Sequence, residues 1–151
     1  MNQKVKEIWP GMPLMRFEYE ISRNAFSVHS FLLANINRMN DEAIKKVLHL
    51  NESMSRMRLA AMLPSRSITP EIELLLLTDD INIVRRAYAM REDWVPTEAQ
   101  LKSGLNDVDG HVRWVYENRK ESDWARALLA RSINLQGVMD DSIKNTSSPA
   151  L

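Results

Sequence analysis

Cysteine is absent from all 151 residues. That excludes disulfides, thiolate metal sites and a cysteine nucleophile. Glycine is scarce, at four residues, so there is little from which to build a phosphate cradle. No Walker sequence and no G-x-S-x-G occurs. His29, His49 and His111 are the only histidines, and none has a neighbour at H-E-x-x-H spacing. Long apolar runs are missing too: Leu74 to Leu77 is bracketed by acidic residues and falls far short of the ~20 residues a membrane helix needs. The stretch Met1 to Pro13 has no apolar core of the kind a secretory signal carries. These absences set the expectation of a cytoplasmic protein away from the membrane, with no catalytic site, no metal site and no cofactor.

Net charge is also missing, because 20 basic residues balance 20 acidic ones. The balance is uneven along the chain. Residues 1–70 hold ten Lys/Arg and six Asp/Glu, whereas residues 71–151 hold ten and fourteen. This reads either as scatter over solvated faces or as a basic end and an acidic end, suited to head-to-tail self-association or a charged partner.

What is present is repetition. Residues 77–90, LTDDINIVRRAYAM, match residues 105–118, LNDVDGHVRWVYEN, at a shift of 28, with Leu77/Leu105, Asp79/Asp107, Val84/Val112, Arg85/Arg113 and Tyr88/Tyr116 identical. A shift of 27 in the other direction gives residues 50–63, LNESMSRMRLAAML, which aligns Leu50 with Leu77, Arg58 with Arg85 and Ala60 with Ala87. Ahead of each window stands a helix start, at Asn40, Thr69 and Thr97, and a fourth follows the last window at Ser122; at each a short side-chain oxygen can accept an orphan backbone N–H. Pro70 lies at a first helical position, and Thr97 with Gln100 forms a capping box. Pro64 and Pro96 fall between units, where a helix must stop.

The expected map is therefore helix pairs near 40–63, 69–91 and 97–120, with a closing helix at 122–132. The same map leads us to expect one helical-repeat domain over residues 1–132, with residues 1–35 a degenerate first unit and residues 133–151 a disordered tail. In the first unit, Met15, Phe17, Tyr19 and Ile21 alternate with polar residues as in a strand. Leu14, Phe17 and Ile21 also make a helical stripe, and the repeat phase favours a helix there, followed by a second at about 25–35.

The phrase L-x-D-x-x-x-x-V-R, ending one helix and opening the next at Leu77–Arg85 and Leu105–Arg113, resembles HEAT-like repeats. The period of 27–28 residues and the proline or threonine opening each unit look more like the shorter leucine-rich repeat variant. The likeness covers roughly residues 13–132 and is specific to an architecture, not to a function. It implies an all-α fold: a right-handed α-solenoid of four to five short helix pairs and no sheet, used in such families mainly to bind proteins and sometimes nucleic acids. Some leucine-rich repeat variant proteins hold a cysteine-ligated iron–sulfur cluster, which cannot carry over to a chain without cysteine. A few HEAT-like proteins are DNA glycosylases, but of larger size.

Several residues bear on function. The aligned arginines Arg58, Arg85 and Arg113 read as stitches between units, each pairing with an acidic or carbonyl group near the inter-helix turn. With Arg56 and Arg119 they are also the candidate phosphate contacts of a nucleic-acid-binding alternative. One position on, the column Leu59, Arg86, Trp114 varies in chemistry while its frame repeats, and Tyr88 and Tyr116 lie beside it. Arg, Trp and Tyr dominate interface hot spots, so these five are the expected partner-binding residues, although packing between units would suit the aromatics as well. Trp94 and Trp124 read as packing anchors, and Met54, Met57 and Met62 as core filler or an adaptable contact surface. Asp107-Val-Asp-Gly looks like the start of a calcium loop, but Asn118 stands where its bidentate Glu would be. The leading expectation is a non-enzymatic adaptor, scaffold or inhibitor that binds another protein.

Overall fold

Short polar side chains close the helix N-termini where the repeat phase places them. Asn40 Oδ1 accepts the Ala43 N–H at 3.0 Å, and Thr69 Oγ1 accepts the Ile72 N–H at 3.2 Å. Thr97 and Gln100 exchange both bonds of a capping box. Each satisfies a donor the first helical turn cannot. The structure is a computed structural model that describes residues 4–120. It is mostly helical. A short hairpin of β1 (Glu7–Trp9) and β2 (Met12–Pro13) leads into α1 (Leu14–Ile21) and α2 (Ala25–Asn35). Next come α3 (Asp41–Leu48) and α4 (Ser53–Met62), a 3-10 turn at Ser65–Ser67, α5 (Pro70–Leu77) and α6 (Asn82–Ala89), then α7 (Glu98–Leu105) and a helix, α8, over 110–120. The closing helix expected at 122–132, with Ser122 and Trp124, and the tail at 133–151 lie outside the described residues.

Helices pack in pairs, α1 on α2, α3 on α4 and α5 on α6. Neighbouring pairs meet through like helices: α4 lies against both α2 and α6, and α3 against α5. No pair can bury its own apolar face, so one continuous core runs through all of them. It includes Phe17, Leu32, Ile44, Leu59, Ile72, Leu76, Val84, Tyr88 and Val112, all buried. Among the described residues, no helix is long and apolar enough to cross a membrane.

The N-terminus corrects the expectation of a fold without a sheet. Trp9-Pro10-Gly11-Met12 is a tight turn with Pro at its second position and Gly11 at φ +89°, where a side chain would be strained. The Gly11 N–H donates to the Glu7 carboxylate at 3.1 Å. Ile8, Trp9 and Met12 are buried, and Trp9 meets Phe17 edge-on at 5.4 Å between ring centres. The hairpin packs on α1 and so covers that side of the first pair. The segment 14–21 is a helix because that geometry buries only Phe17 and Ile21, one turn apart, and leaves Met15 and Tyr19 exposed. A strand would have buried all four.

Two core positions give direct tests. Gly104 lies inside α7 against the Tyr116 ring, where a Cβ would overlap the ring carbons. Gly104→Ala is therefore expected to destabilise by about 1–3 kcal/mol, outweighing the ~1 kcal/mol that alanine gains in helix propensity. Urea unfolding measures it. Ser55 is fully buried on α4, and its hydroxyl has no hydrogen-bond partner among the described residues. Ser55→Ala is expected to raise stability by about 1 kcal/mol, because it removes an unpaired buried polar group; a lower urea midpoint would contradict this.

Candidate functional site

On α4, Met54, Met57 and Ala61 fall three and four residues apart and so share one face. On α6 and its C-cap, Ile83, Arg86, Ala87 and Met90 do the same. The two stripes border one groove of about 550 Å³, whose wall is completed by Arg91. The small Ala61 and Ala87 hollow its floor, while three methionines supply adaptable apolar walls. Arg86 is its one charged side chain without a hydrogen-bond or ion-pair partner among the described residues, since Arg91 is bound elsewhere.

Arginines fix the two helices that make the groove. At their N-terminal ends, Arg56 of α4 donates to both oxygens of Asp79, just before α6, at 2.8 and 3.1 Å, and to the Leu50 carbonyl. At their C-terminal ends, Arg91, just after α6, donates to the carbonyls of Ala60 and Leu63 and to both oxygens of Asp93. Like ends are tied to like ends, so α4 and α6 run parallel. The next step repeats this: Arg85 holds both oxygens of Asp107 at 2.9 Å, and Arg119 donates to the carbonyls of Ala89 and Arg91. Bidentate Arg–carboxylate geometry of this kind fixes orientation as well as distance.

These bonds also set the repeat register. Arg56, Arg85 and Arg113 each donate to the carbonyl six residues earlier, of Leu50, Asp79 and Asp107. Equivalent positions are therefore 29 and then 28 residues apart, not 27 and 28. Arg58 is not a rung; it is half-buried and donates to the Ala25 carbonyl on α2 at 2.9 Å. The column that contains Arg86 and Trp114 begins with Met57, not Leu59.

The structure divides the five expected partner-binding residues. Leu59, Tyr88 and Tyr116 are buried and belong to the core. Leu59 is four residues beyond Ser55, Tyr88 four beyond Val84 and Tyr116 four beyond Val112, so each shares the buried face of its helix. Tyr88 also donates to Glu73 Oε1 at 2.7 Å and packs 4.9 Å from Trp94. Burial pushes the Tyr116 phenol up to about 12. Arg86 lines the groove, and Trp114 is 65% exposed on α8. Of the candidate phosphate contacts, Arg56 and Arg85 hold carboxylates, Arg119 is buried against the Ala89 and Arg91 carbonyls, and Arg58 and Arg113 each donate to a backbone carbonyl. The sequence reading missed Arg91 and Asp93. The signal was available, since Arg91 precedes Arg119 by 28 residues.

Asp107 and Asp109 belong to the turn. Asp107 Oδ1 accepts the Asp109 N–H, and Asp109 accepts the His111 and Val112 N–H groups and the Asn82 amide. Asp79 repeats this by accepting the Ile81 N–H at 2.9 Å. Burial alone would raise the Asp79 carboxyl, but the Arg56 hydrogen bond, the Ile81 N–H and the Arg56 charge outweigh it and hold the group below the ordinary aspartate value of 3.8. Asp107 is lowered in the same way by Arg85 and the Asp109 N–H, against burial. A depressed folded-state value means the unfolded chain binds protons more readily. The stabilisation is complete above pH about 4 and is lost as pH falls below it. Urea midpoints are expected to drop between pH 5 and pH 3, and Asp79→Asn should flatten part of that drop.

Comparison with family models, with curated proteins and with solved structures gives no match for this chain.

Proposed function

We propose that the chain is a non-enzymatic adaptor, scaffold or inhibitor of HEAT-like or leucine-rich-repeat-variant type, an α-solenoid that works in the cytoplasm by holding another protein on its second-helix face. The observation that carries this reading is the methionine-walled groove between α4 and α6, with Arg86 unpartnered among the described residues. Exposed apolar surface costs solubility, and a concentrated patch of it usually marks an interaction site. Rigid parallel helices below that face support the reading, because a preorganised surface loses little entropy on binding. Trp114 extends the candidate surface onto the next unit, in the position equivalent to Arg86 and Met57. Arg and Trp are the residue types most often found at binding hot spots.

The nucleic-acid alternative loses support from the same geometry, because the carboxylates of Asp79 and Asp107 occupy Arg56 and Arg85. Anisotropy titration with labelled duplex and single strands is expected to show no binding that survives about 150 mM salt, given so few free phosphate contacts. For the adaptor reading, the test is affinity capture from the native host with the wild-type chain and with Arg86→Glu and Trp114→Ala. A partner retained by wild type and lost from at least one folded variant supports it. Partners retained equally by all three chains would remove the second-helix face as the site.

A further inference from the structure

The groove between α4 and α6 presents apolar side chains over Met54 to Ala61 and Ile83 to Met90, about two helical turns on each side. Small-molecule sites of this size converge several polar groups on their ligand. Here the lining holds only two polar side chains among the described residues, and one of them, Arg91, is already committed to two carbonyls and the Asp93 carboxylate. No acidic residue lines the groove among the described residues. What remains is one cation, Arg86, beside an apolar trough between two parallel helices. Such a trough takes the apolar stripe of a third helix.

Resting on the adaptor reading, we infer that this groove docks an amphipathic helix of a partner protein, with apolar side chains at i, i+3 or i+4 and i+7 and an Asp or Glu that pairs with Arg86. Charge complementarity selects the acid. A basic residue at the same place would meet Arg86 with no counter-charge among the described lining residues. The methionine walls set the tolerance: flexible thioethers repack around Leu, Ile, Met or Phe, so apolar identity matters less than spacing. Arg86 sets the orientation, because it stands toward one wall, three residues beyond Ile83 and four before Met90.

The test is a displayed library of helical peptides of about 16 residues, long enough to hold a helix, randomised over one face and selected against the full chain. Selected peptides are then titrated as labelled, purified probes in about 150 mM salt. The expected winners carry the apolar spacing and an Asp or Glu beside it. Arg86→Glu should weaken them about tenfold or more, and a peptide with its acid changed to Lys should regain binding on that variant. Met90→Gln, at an exposed position that leaves the core untouched, should weaken them as well. Winners without acidic bias, or unchanged binding to folded Arg86→Glu, overturn the inference. Winners that lose binding on Trp114→Ala but not on the groove variants overturn the groove while leaving the adaptor reading standing on α8. A selection that yields no peptide also overturns it, and the adaptor reading is then decided by the capture experiment alone. A synthetic peptide of residues 133–151 is the last arm. If it fills the groove more tightly than the selected helices, the occupant is the chain itself and the partner assignment falls.

Discussion

Arg56→Ala is expected to lower the unfolding free energy by about 3–5 kcal/mol, the cost of stripping one partner from a buried ion pair. The side chains of Arg56 and Asp79 are only 7% and 8% exposed. Removing the guanidinium leaves the Asp79 carboxylate in a site that water barely reaches, and leaves the Leu50 carbonyl without its donor. Most of the loss is therefore the penalty for the orphaned charge, not the intrinsic worth of the pair. That distinction has its own consequence. Arg56→Met combined with Asp79→Leu is expected to cost far less than the two single changes summed, because no charge is then left behind. Urea unfolding of the four chains measures the coupling. A loss below about 1 kcal/mol for Arg56→Ala would place the pair among exposed ion pairs, which contribute little, and would leave the parallel alignment of α4 and α6 to side-chain packing alone.

Much of the helical layout was legible because caps and turns are local chemistry. Asn40, Thr69 and Thr97 start helices where a side-chain oxygen must serve the first turn, and they do so in the structure as the sequence implies. The hairpin was equally local. Trp9-Pro10-Gly11-Met12 is a turn signature, although the polar residues around it hide the strands that it joins. Register was harder, because α4 offers two arginines. Matching identities favoured Arg58, with Leu50 and Ala60 in support; the hydrogen bond to the carbonyl six residues back belongs to Arg56. A shift of 29 would have aligned Leu48 with Leu77, and the shift of 28 aligns Leu77 with Leu105; these are the last residues of α3, α5 and α7. The candidate site was half legible. Arg86 and Trp114 were found by residue type and by a column that varies. Leu59, Tyr88 and Tyr116 were misplaced because residue type outweighed the helical spacing that puts them on the buried face. The groove itself could not be read, since it depends on which helices become neighbours.

Tyr88→Ala is the second large effect, about 3–5 kcal/mol as for other aromatic truncations in a core. Tyr88 is 2% exposed, its ring lies 4.9 Å from Trp94, and its hydroxyl donates to Glu73 at 2.7 Å. Alanine would leave a ring-sized cavity where α5, α6 and the Trp94 segment meet. Tyr88→Phe keeps the ring and removes one hydrogen bond; Glu73 would still accept the Gln100 amide at 3.1 Å, so a loss of about 1 kcal/mol is expected. Burial, and then the hydrogen bond to Glu73, push the phenol well above its ordinary value of 10. The folded state thus holds this proton more tightly than the unfolded state, and its contribution is complete below pH about 10 and declines as pH rises past it. Tyr88→Phe should remove that alkaline decline. Arg86→Ala, two residues away at the groove, is expected to stay within about 0.5 kcal/mol of wild type, as surface changes do. Chemical unfolding of Tyr88→Ala and Arg86→Ala in parallel separates a core residue from a binding residue on one short helix. If Tyr88→Ala unfolds at the wild-type urea midpoint, the ring is not part of the core and returns to the candidate binding surface.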